Sequence, residues 1–297
     1  MLSRGTFSIV AADLEAGEVG CAVQSKYFSV GSVVPWARAG VGAVATQAAG
    51  VAVYGRRALD ELAAGVDPDA ALARVLAGDP ERETRQLGIV TADGRAAAFT
   101  GASCLDWAGH RTGAGFAVQG NILAGERVVD ELARAFEESL GSLATRLVAA
   151  LEAGQAAGGD KRGQQSAAVV VERIGASTDS REGVDRICDL RVEDHPEPIV
   201  ELRRLVGIWT GWELMRRANA CYERREFGAA ADLLREAATG AADPVLLYNL
   251  ACYESLAGRT ADAVAHLGQA IARDGSYRAL AAGDPDFEPV RNEISAL

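Results

Sequence analysis

Lysine is scarce in this sequence. Of 30 basic residues among 297, only Lys26 and Lys161 are lysines, and 41 acidic residues leave a formal charge of −11. A chain this acidic lacks the basic face that nucleic acid or an anionic membrane surface would need, so neither is expected as its main partner. With 58 alanines beside the arginines, the bias fits a GC-rich coding sequence and is not read as function. Cysteine is also sparse: Cys21, Cys104, Cys188, Cys221 and Cys252 are odd in number and form no CxxC pair. That pattern argues against a disulfide framework or a thiolate zinc site and fits a reducing compartment. His110, His195 and His266 are far apart, with no HExxH spacing, so neither a metal nor another cofactor is expected. No apolar run approaches the roughly 20 residues that span a bilayer. The opening Met-Leu-Ser-Arg-Gly reads as too short and polar for a signal peptide. A soluble, cytoplasmic protein is the expectation.

What is present is enough apolar residue, 49% of the chain, to bury one large core and a smaller one. Thr6 to Ala12 is β-branched and aromatic enough for a strand, Asp13-Leu-Glu-Ala-Gly17 makes a turn, and Val19 to Ser25 returns as the second strand of a hairpin. Val41 to Thr46 reads as a third strand, reached through a loop around Pro35 and Trp36. A helix over about Tyr54 to Ala64 follows, then one with Asp67 as N-cap and Pro68 at its first position. Gln86 to Thr91 and Arg95 to Thr100 flank Asp93-Gly94, a strong hairpin signal. Gly115 to Leu123 is a further strand. Val128, Leu132 and Phe136, then Leu143, Leu147 and Leu151, mark two amphipathic helices. Gly154 to Gly163 reads as a loose glycine-rich loop. Ser166 to Ile174 and Ile187 to Val192 complete the strands, and a helix opens at Pro198. Strands and helices come in blocks, which disfavours a doubly wound parallel sheet. The pattern predicts an α+β fold, a four-layer αββα sandwich, over residues 1–208.

Residues 209–297 read as all helical between Trp212 and Tyr277. Ala220-Cys-Tyr-Glu recurs as Ala251-Cys-Tyr-Glu, and Ala230, Leu234 and Ala237 precede Ala263, Leu267 and Ala270 by 33 residues. Such offsets are those of a TPR-like helix pair. The segment is expected to bind a peptide, or to serve as a packing or dimerisation appendage, with a homo-oligomer as the expected assembly. Asp284-Pro-Asp-Phe-Glu-Pro reads as the stop after its last helix.

GxSxG, Walker and dinucleotide-binding GxGxxG signatures are missing. Asp194-His195 suits an acid/base pair but sits before Pro196 at a helix entrance, where a capping turn is the plainer reading. Cys104 is a possible thiol nucleophile, though cysteine is more often simply buried. Gly5-Thr6 at the mouth of the first strand is more informative. A threonine with a free α-amine holds nucleophile and base in one residue, because that amine has an ordinary pKa of about 7.7–8.0. Thr6 gains this chemistry only once residues 1–5 are removed, and a preceding glycine leaves the scissile carbonyl unhindered for an N→O acyl shift.

Thr6-Phe-Ser-Ile-Val-Ala, Ala22-Val-Gln-Ser-Lys, Val30-Gly-Ser-Val-Val-Pro-Trp, Ala117-Val-Gln-Gly-Asn-Ile-Leu-Ala-Gly and Asp189-Leu-Arg-Val-Glu-Asp-His-Pro resemble a bacterial family of unknown function assigned to the Ntn-hydrolase (N-terminal nucleophile) superfamily. The likeness runs from Thr6 to about Leu205. It implies the αββα sandwich and amide hydrolysis by the first residue of the mature chain. Where proteasome-type members carry a carboxylate and a lysine, hairpin topology here places Gln24 and Arg38, with Lys26 close by. Arginine cannot shuttle a proton, so Arg38 or Lys26 is expected instead to tune the amine or hold a substrate carboxylate. Asn121 stands where glutamine amidotransferases carry an oxyanion donor. Gln24, Ser25, Gln47 and Gln119 are the expected substrate contacts. Two readings follow: an amidohydrolase on a small or modified amide with Thr6 as nucleophile, or a non-catalytic binding scaffold with the same sandwich.

Overall fold

The computed structural model describes residues 5–175, 184–238 and 243–294. The chain is mixed α+β, with antiparallel sheets followed by helices, and divides into compact units at 1–206 and 207–297.

The first unit runs β1 (Thr6–Asp13), β2 (Glu18–Ser25), β3 (Pro35–Arg38), β4 (Gly42–Ala48), α1 (Val53–Ala63), α2 (Pro68–Leu76), β5 (Arg85–Thr91), β6 (Ala96–Thr100), β7 (Gly109–Gly113), β8 (Phe116–Asn121), α3 (Arg127–Glu138), α4 (Leu143–Ala156), β9 (Ser166–Arg173) and β10 (Arg186–Val192), and then enters α5 (Pro198–Glu223). Six strands form one sheet in the order β10-β9-β2-β1-β8-β7, and four form another in the order β3-β4-β5-β6. Every pairing between these strands is antiparallel.

The pleat sends alternate residues to opposite faces, and this sorts the core. Val10 and Ala12 of β1, Cys21 and Val23 of β2, Ala43 and Ala45 of β4 and Val90 of β5 share one cluster between the sheets. Val44, Leu87 and Ile89 face the other way, against Tyr54, Leu59, Leu62, Leu72 and Val75 of α1 and α2. On the six-stranded sheet, α4 packs over β1 and β2, and α3 over β7 and β8. The two hairpins and the Asp67 cap form as read: Thr6 pairs with Ser25, Gln86 with Thr100, and Asp67 accepts the Asp69 N–H.

Two strands depart from the sequence reading. Pro35 and Trp36, read as a loop, open β3, and His110 and Arg111, in a glycine-rich stretch, lie in β7. Both are sheet edges, where proline and polar residues cost the ladder little. The helix opening at Pro198 also continues unbroken to Glu223, so the unit boundary between Val206 and Gly207 falls inside it.

The second unit holds the rest of α5, then α6 (Phe227–Ala237), α7 (Pro244–Leu256), α8 (Thr260–Arg273), α9 (Ser276–Gly283) and α10 (Arg291–Ile294). The all-helical reading also covered residues 239–242, which lie outside the described residues. Ala230, Leu234, Ala263, Leu267 and Ala270, the small and apolar positions of the repeat pattern, are buried. Asp284 caps a 3-10 turn over Pro285–Val290 after α9, and the ring of Phe287 in that turn is fully buried against Tyr248.

Candidate functional site

The space between the sheets changes character along its length. At one end it is filled by valine and alanine. At the end where β1 begins, the same inward positions carry Thr6 and Ser8 of β1, Ser25 of β2, Gln47 of β4, Gln86 of β5, and Gln119 and Asn121 of β8, all buried. Register brings them together: Thr6 lies opposite Ser25 on one side and Asn121 on the other, and Ser8 lies opposite Gln119.

Buried amides and hydroxyls are costly without partners, and these largely satisfy one another. Gln119 Nε2 donates to Ser8 Oγ at 2.6 Å, and Ser8 Oγ donates to Gln47 Oε1 at 2.6 Å. Gln47 Nε2 and Asn121 Nδ2 both donate to Gln86 Oε1 at 2.9 Å. Gln86 Nε2 in turn reaches Thr100 Oγ1 at 2.9 Å and the Gly120 carbonyl at 2.8 Å. Gln47 Nε2 also lies 3.3 Å from the Thr6 carbonyl oxygen, tying the network to β1. The Gln119 amide lies over Gly88, where any Cβ would collide with it. β4 and β8 then turn sharply beside this network: Ala48 and Ile122, directly after Gln47 and Asn121, have φ of 65° and 54°. For a β-branched residue such as Ile122 that conformation is strained.

Thr6 stands at the rim of this network. Its Oγ1 lies 3.0 Å from Ser25 Oγ, which donates at 2.5 Å to the Gly5 carbonyl. Because Ser25 has one hydroxyl proton and spends it on Gly5, Thr6 is the donor in the first of these bonds. The Gly5 carbonyl accepts a second hydrogen bond from Arg162 Nη2 at 2.7 Å. Arg162 is held by Asp160 through Nε to Oδ1 at 3.0 Å and Nη2 to Oδ2 at 2.7 Å. The Asp160 side chain is fully buried and also accepts the backbone N–H of Lys26 and of Arg162. Thr6 opens on a cleft of about 70 Å³ whose lining includes Tyr27, Val34, Thr46, Gln47 and Ala48.

The structure therefore brings together Thr6, Ser25, Gln47, Gln119 and Asn121, turns Gln24 and Arg38 away from them, and engages the side chain of Lys26 elsewhere. Gln24 pairs with Phe7 and, by the pleat, faces the α4 side of the sheet, away from Thr6. It is fully buried, and both its amide atoms lack a hydrogen-bond partner. Arg38 pairs with Gly42, five residues along β4 from Gln47 and so about 17 Å away at a strand rise of about 3.3 Å per residue. Its guanidinium ion-pairs with Asp60 at an exposed site. Lys26 adjoins Ser25, but its Nζ donates to the Gln164 carbonyl at 3.1 Å in an exposed position. In the full-length chain both cations are thus engaged with groups other than Thr6. Met1 to Arg4, four of the five residues whose removal was expected, lie outside the described residues.

Cys104 and Asp194-His195 also resolve to plain roles. Burial pushes the Cys104 thiol up from its ordinary pKa, and its Sγ donates to the Arg85 carbonyl. The His195 ring accepts the Glu197 N–H just before α5, and Asp194 accepts from the Gln165 side chain, so the two side chains are spent on local and loop contacts. The residues that sequence reasoning missed are Gln86, Asp160 and Arg162. Asp160-Lys161-Arg162 is a charged triplet between Gly159 and Gly163, a signal hidden in a stretch that otherwise has the composition of a loop.

Residues 6–202 match a family of unknown function, DUF1028. A crystal structure of protein SPO2555 from Silicibacter pomeroyi, which carries the same family model, is 33% identical. The match covers 68% of this chain and 88% of that one, with a TM-score of 0.62. No curated protein matches the chain. Two thirds of the sequence, including every residue of the Thr6 site except Gly5, lies within the matched range, and the chain belongs to the DUF1028 family of unknown function.

Proposed function

We propose that the first unit is an Ntn-type amidohydrolase acting on a small amide, with Thr6 as its N-terminal nucleophile once residues 1–5 have been removed. The observation that carries this reading is the placement of Thr6. Its hydroxyl stands at the start of a central strand, donates to Ser25, and meets a small cleft between two facing antiparallel sheets. Support comes also from the packing of α1 and α2 on the four-stranded sheet and of α3 and α4 on the six-stranded one.

In the mature chain the Thr6 α-amine takes the Oγ1 proton as the hydroxyl attacks the substrate carbonyl. The leaving amine is protonated in turn, and water releases the acyl group. The largely apolar lining and volume of about 70 Å³ suit a small acyl group. Asn121 faces Thr6 across the β1–β8 ladder as the side-chain amide nearest in register, although one of its N–H bonds is spent on Gln86.

Intact mass and the N-terminal residue of the purified protein test the reading. The expected result is loss of Met1 to Gly5 from wild type, retention in Thr6→Ala, and amide hydrolysis only by the processed chain. A homogeneous full-length wild type that still hydrolyses amides would sink it.

For the second unit we propose a TPR-like module that engages a peptide or a second copy of the chain. The support is the inward placement of Ala230, Leu234, Ala263, Leu267 and Ala270 at repeat-related offsets. If removing residues 212–297 leaves both oligomeric state and peptide capture unchanged, that role is wrong.

A further inference from the structure

The cleft beside Thr6 has a buried floor and an exposed rim. Val30, Val34, Thr46 and Gln47 are buried on the floor, and Ala52 is exposed on the rim. The loop between β2 and β3 supplies both valines and is fixed to both sheets. Ser166 Oγ of β9 accepts the Val30 N–H at 3.0 Å and donates to the Tyr27 carbonyl. The Val34 carbonyl accepts the Thr46 N–H at 3.2 Å, which pins the same loop to β4. The floor is therefore pre-formed, as small-molecule sites usually are. Its polar groups are committed to the protein. Gln47 Oε1 accepts from Ser8, Gln47 Nε2 donates to Gln86, and Thr46 Oγ1 donates to the Val51 carbonyl at 3.4 Å. Among the described residues that line the cleft, no side chain carries a carboxylate, an amine or a guanidinium.

We infer that the cleft takes the acyl part of the substrate as a short, uncharged hydrocarbon chain, and that Val30 and Val34 set how long that chain can be. The inference rests on Thr6 being the nucleophile, which puts the substrate carbonyl at the mouth and its acyl chain on the floor. An acyl chain ending in a carboxylate or an ammonium would bury its charge with no counter-charge on the cleft wall, and an unpaired buried charge is strongly disfavoured. A hydrocarbon chain gives up only contact with water, which favours its entry. The volume of about 70 Å³ is roughly half that of a ~150 Å³ apolar cavity that holds a benzene ring, which leaves room for about three carbons beyond the carbonyl. A butyryl or isobutyryl group meets that limit, and a hexanoyl group exceeds it.

Acetyl, butyryl, hexanoyl and succinyl anilides test the inference on the purified protein, by turnover and, in parallel, by chemical-shift titration. Succinyl anilide matches butyryl anilide closely in length but ends in a carboxylate. Affinity and kcat/KM should rise about fifteenfold from acetyl to butyryl, at about fourfold per buried methylene. They should rise no further for hexanoyl, and should be at least about a hundredfold lower for succinyl than for butyryl. Val34→Ala, which deepens the floor, should raise hexanoyl at least about fourfold relative to butyryl. Should Val34→Ala fail to fold, Val30→Ala is read by the same ratio. Turnover that ignores acyl length, or that treats succinyl and butyryl alike, overturns the inference and leaves Thr6 as nucleophile standing. The expected order in affinity alone, from a chain that keeps residues 1–5 and turns over no anilide, supports the acyl class while the reading of Thr6 falls. If butyryl anilide is neither bound nor turned over, the inference is overturned.

Discussion

Gly5 and Asp160 touch so closely that no side chain fits between them: a Cβ on Gly5 would lie 2.7 Å from both Asp160 carboxylate oxygens. Asp160 has no room to retreat, because the side chain and backbone of Arg162 and the Lys26 N–H hold it. Gly5→Ala must therefore displace the residue whose carbonyl the site grips. The expected result is at least a tenfold slower loss of residues 1–5 by intact mass. A stability loss of about 1–3 kcal/mol, typical of overpacking, should appear in urea unfolding.

Gln86 is the hub of the amide network, accepting from Gln47 and Asn121 while donating to Thr100 and Gly120. Gln86→Leu keeps the volume but strands several buried donors and acceptors, each of which costs about 1–3 kcal/mol when unpaired. A drop of about 3 kcal/mol or more in urea unfolding is expected, and turnover should fall with it as Asn121 loses its anchor. A change under about 0.5 kcal/mol, the size of an ordinary surface substitution, would show that the network does not support the site.

Asp79 supplies a pH dependence. Hydrogen bonds from Arg85, then from Tyr54, hold its carboxyl well below the usual carboxylate range. A folded-state value below the unfolded one gives stability that is present above the unfolded pKa of about 3.9 and is lost as pH falls below it. Melting temperatures between pH 6 and pH 2 should decline more steeply for wild type than for Asp79→Asn, which cannot titrate. Parallel curves would contradict this.

Lys26 and Arg38 should be dispensable for catalysis. Both cations are exposed and engaged away from Thr6, with Gln164 and Asp60. Lys26→Ala and Arg38→Ala are expected to keep processing and turnover within about threefold. Arg38→Ala should cost under about 1 kcal/mol, as for other exposed ion pairs. A hundredfold loss of turnover in either would return a charge-tuning role to that residue.

Phe287 anchors the helical unit. Its ring is fully buried and packs edge-on to Tyr248 at 5.4 Å. Phe287→Ala should destabilise by about 3–5 kcal/mol, read as a lowered melting transition of the full chain. Processing at Gly5–Thr6 should continue if the first unit holds its fold, since Gly5, Thr6, Ser25 and Arg162 all belong to that unit.

Local chemistry made much of the fold legible. The β1–β2 hairpin follows from β-branched and apolar runs on either side of a polar turn, and Asp67-Pro68 announces a helix start through a missing N–H and a capping carboxylate. β3 and β7 were illegible because edge strands tolerate the proline and polar residues that otherwise mark loops. At the site, Thr6 stood out by its position after Gly5 at the mouth of a strand, and Gln47 and Asn121 as too polar for plain core, as did Arg38, which the fold leaves on the surface. Asp160 and Arg162 did not, since their partners lie far off in sequence and nothing in a glycine-rich loop encodes that meeting.

Composition and neighbours a few residues apart are enough to set the strand and helix blocks, the acidic character and the position of Thr6 at the mouth of a strand. Tertiary structure alone decided which polar residues share that mouth. Sheet register and the pleat turn Ser25 towards Thr6 and its neighbour Gln24 to the opposite face. Chain closure brings Arg162 onto Gly5 and leaves Arg38 on the surface. Hydrogen bonds and ion pairs are set by distance in space, and only the folded chain fixes that distance.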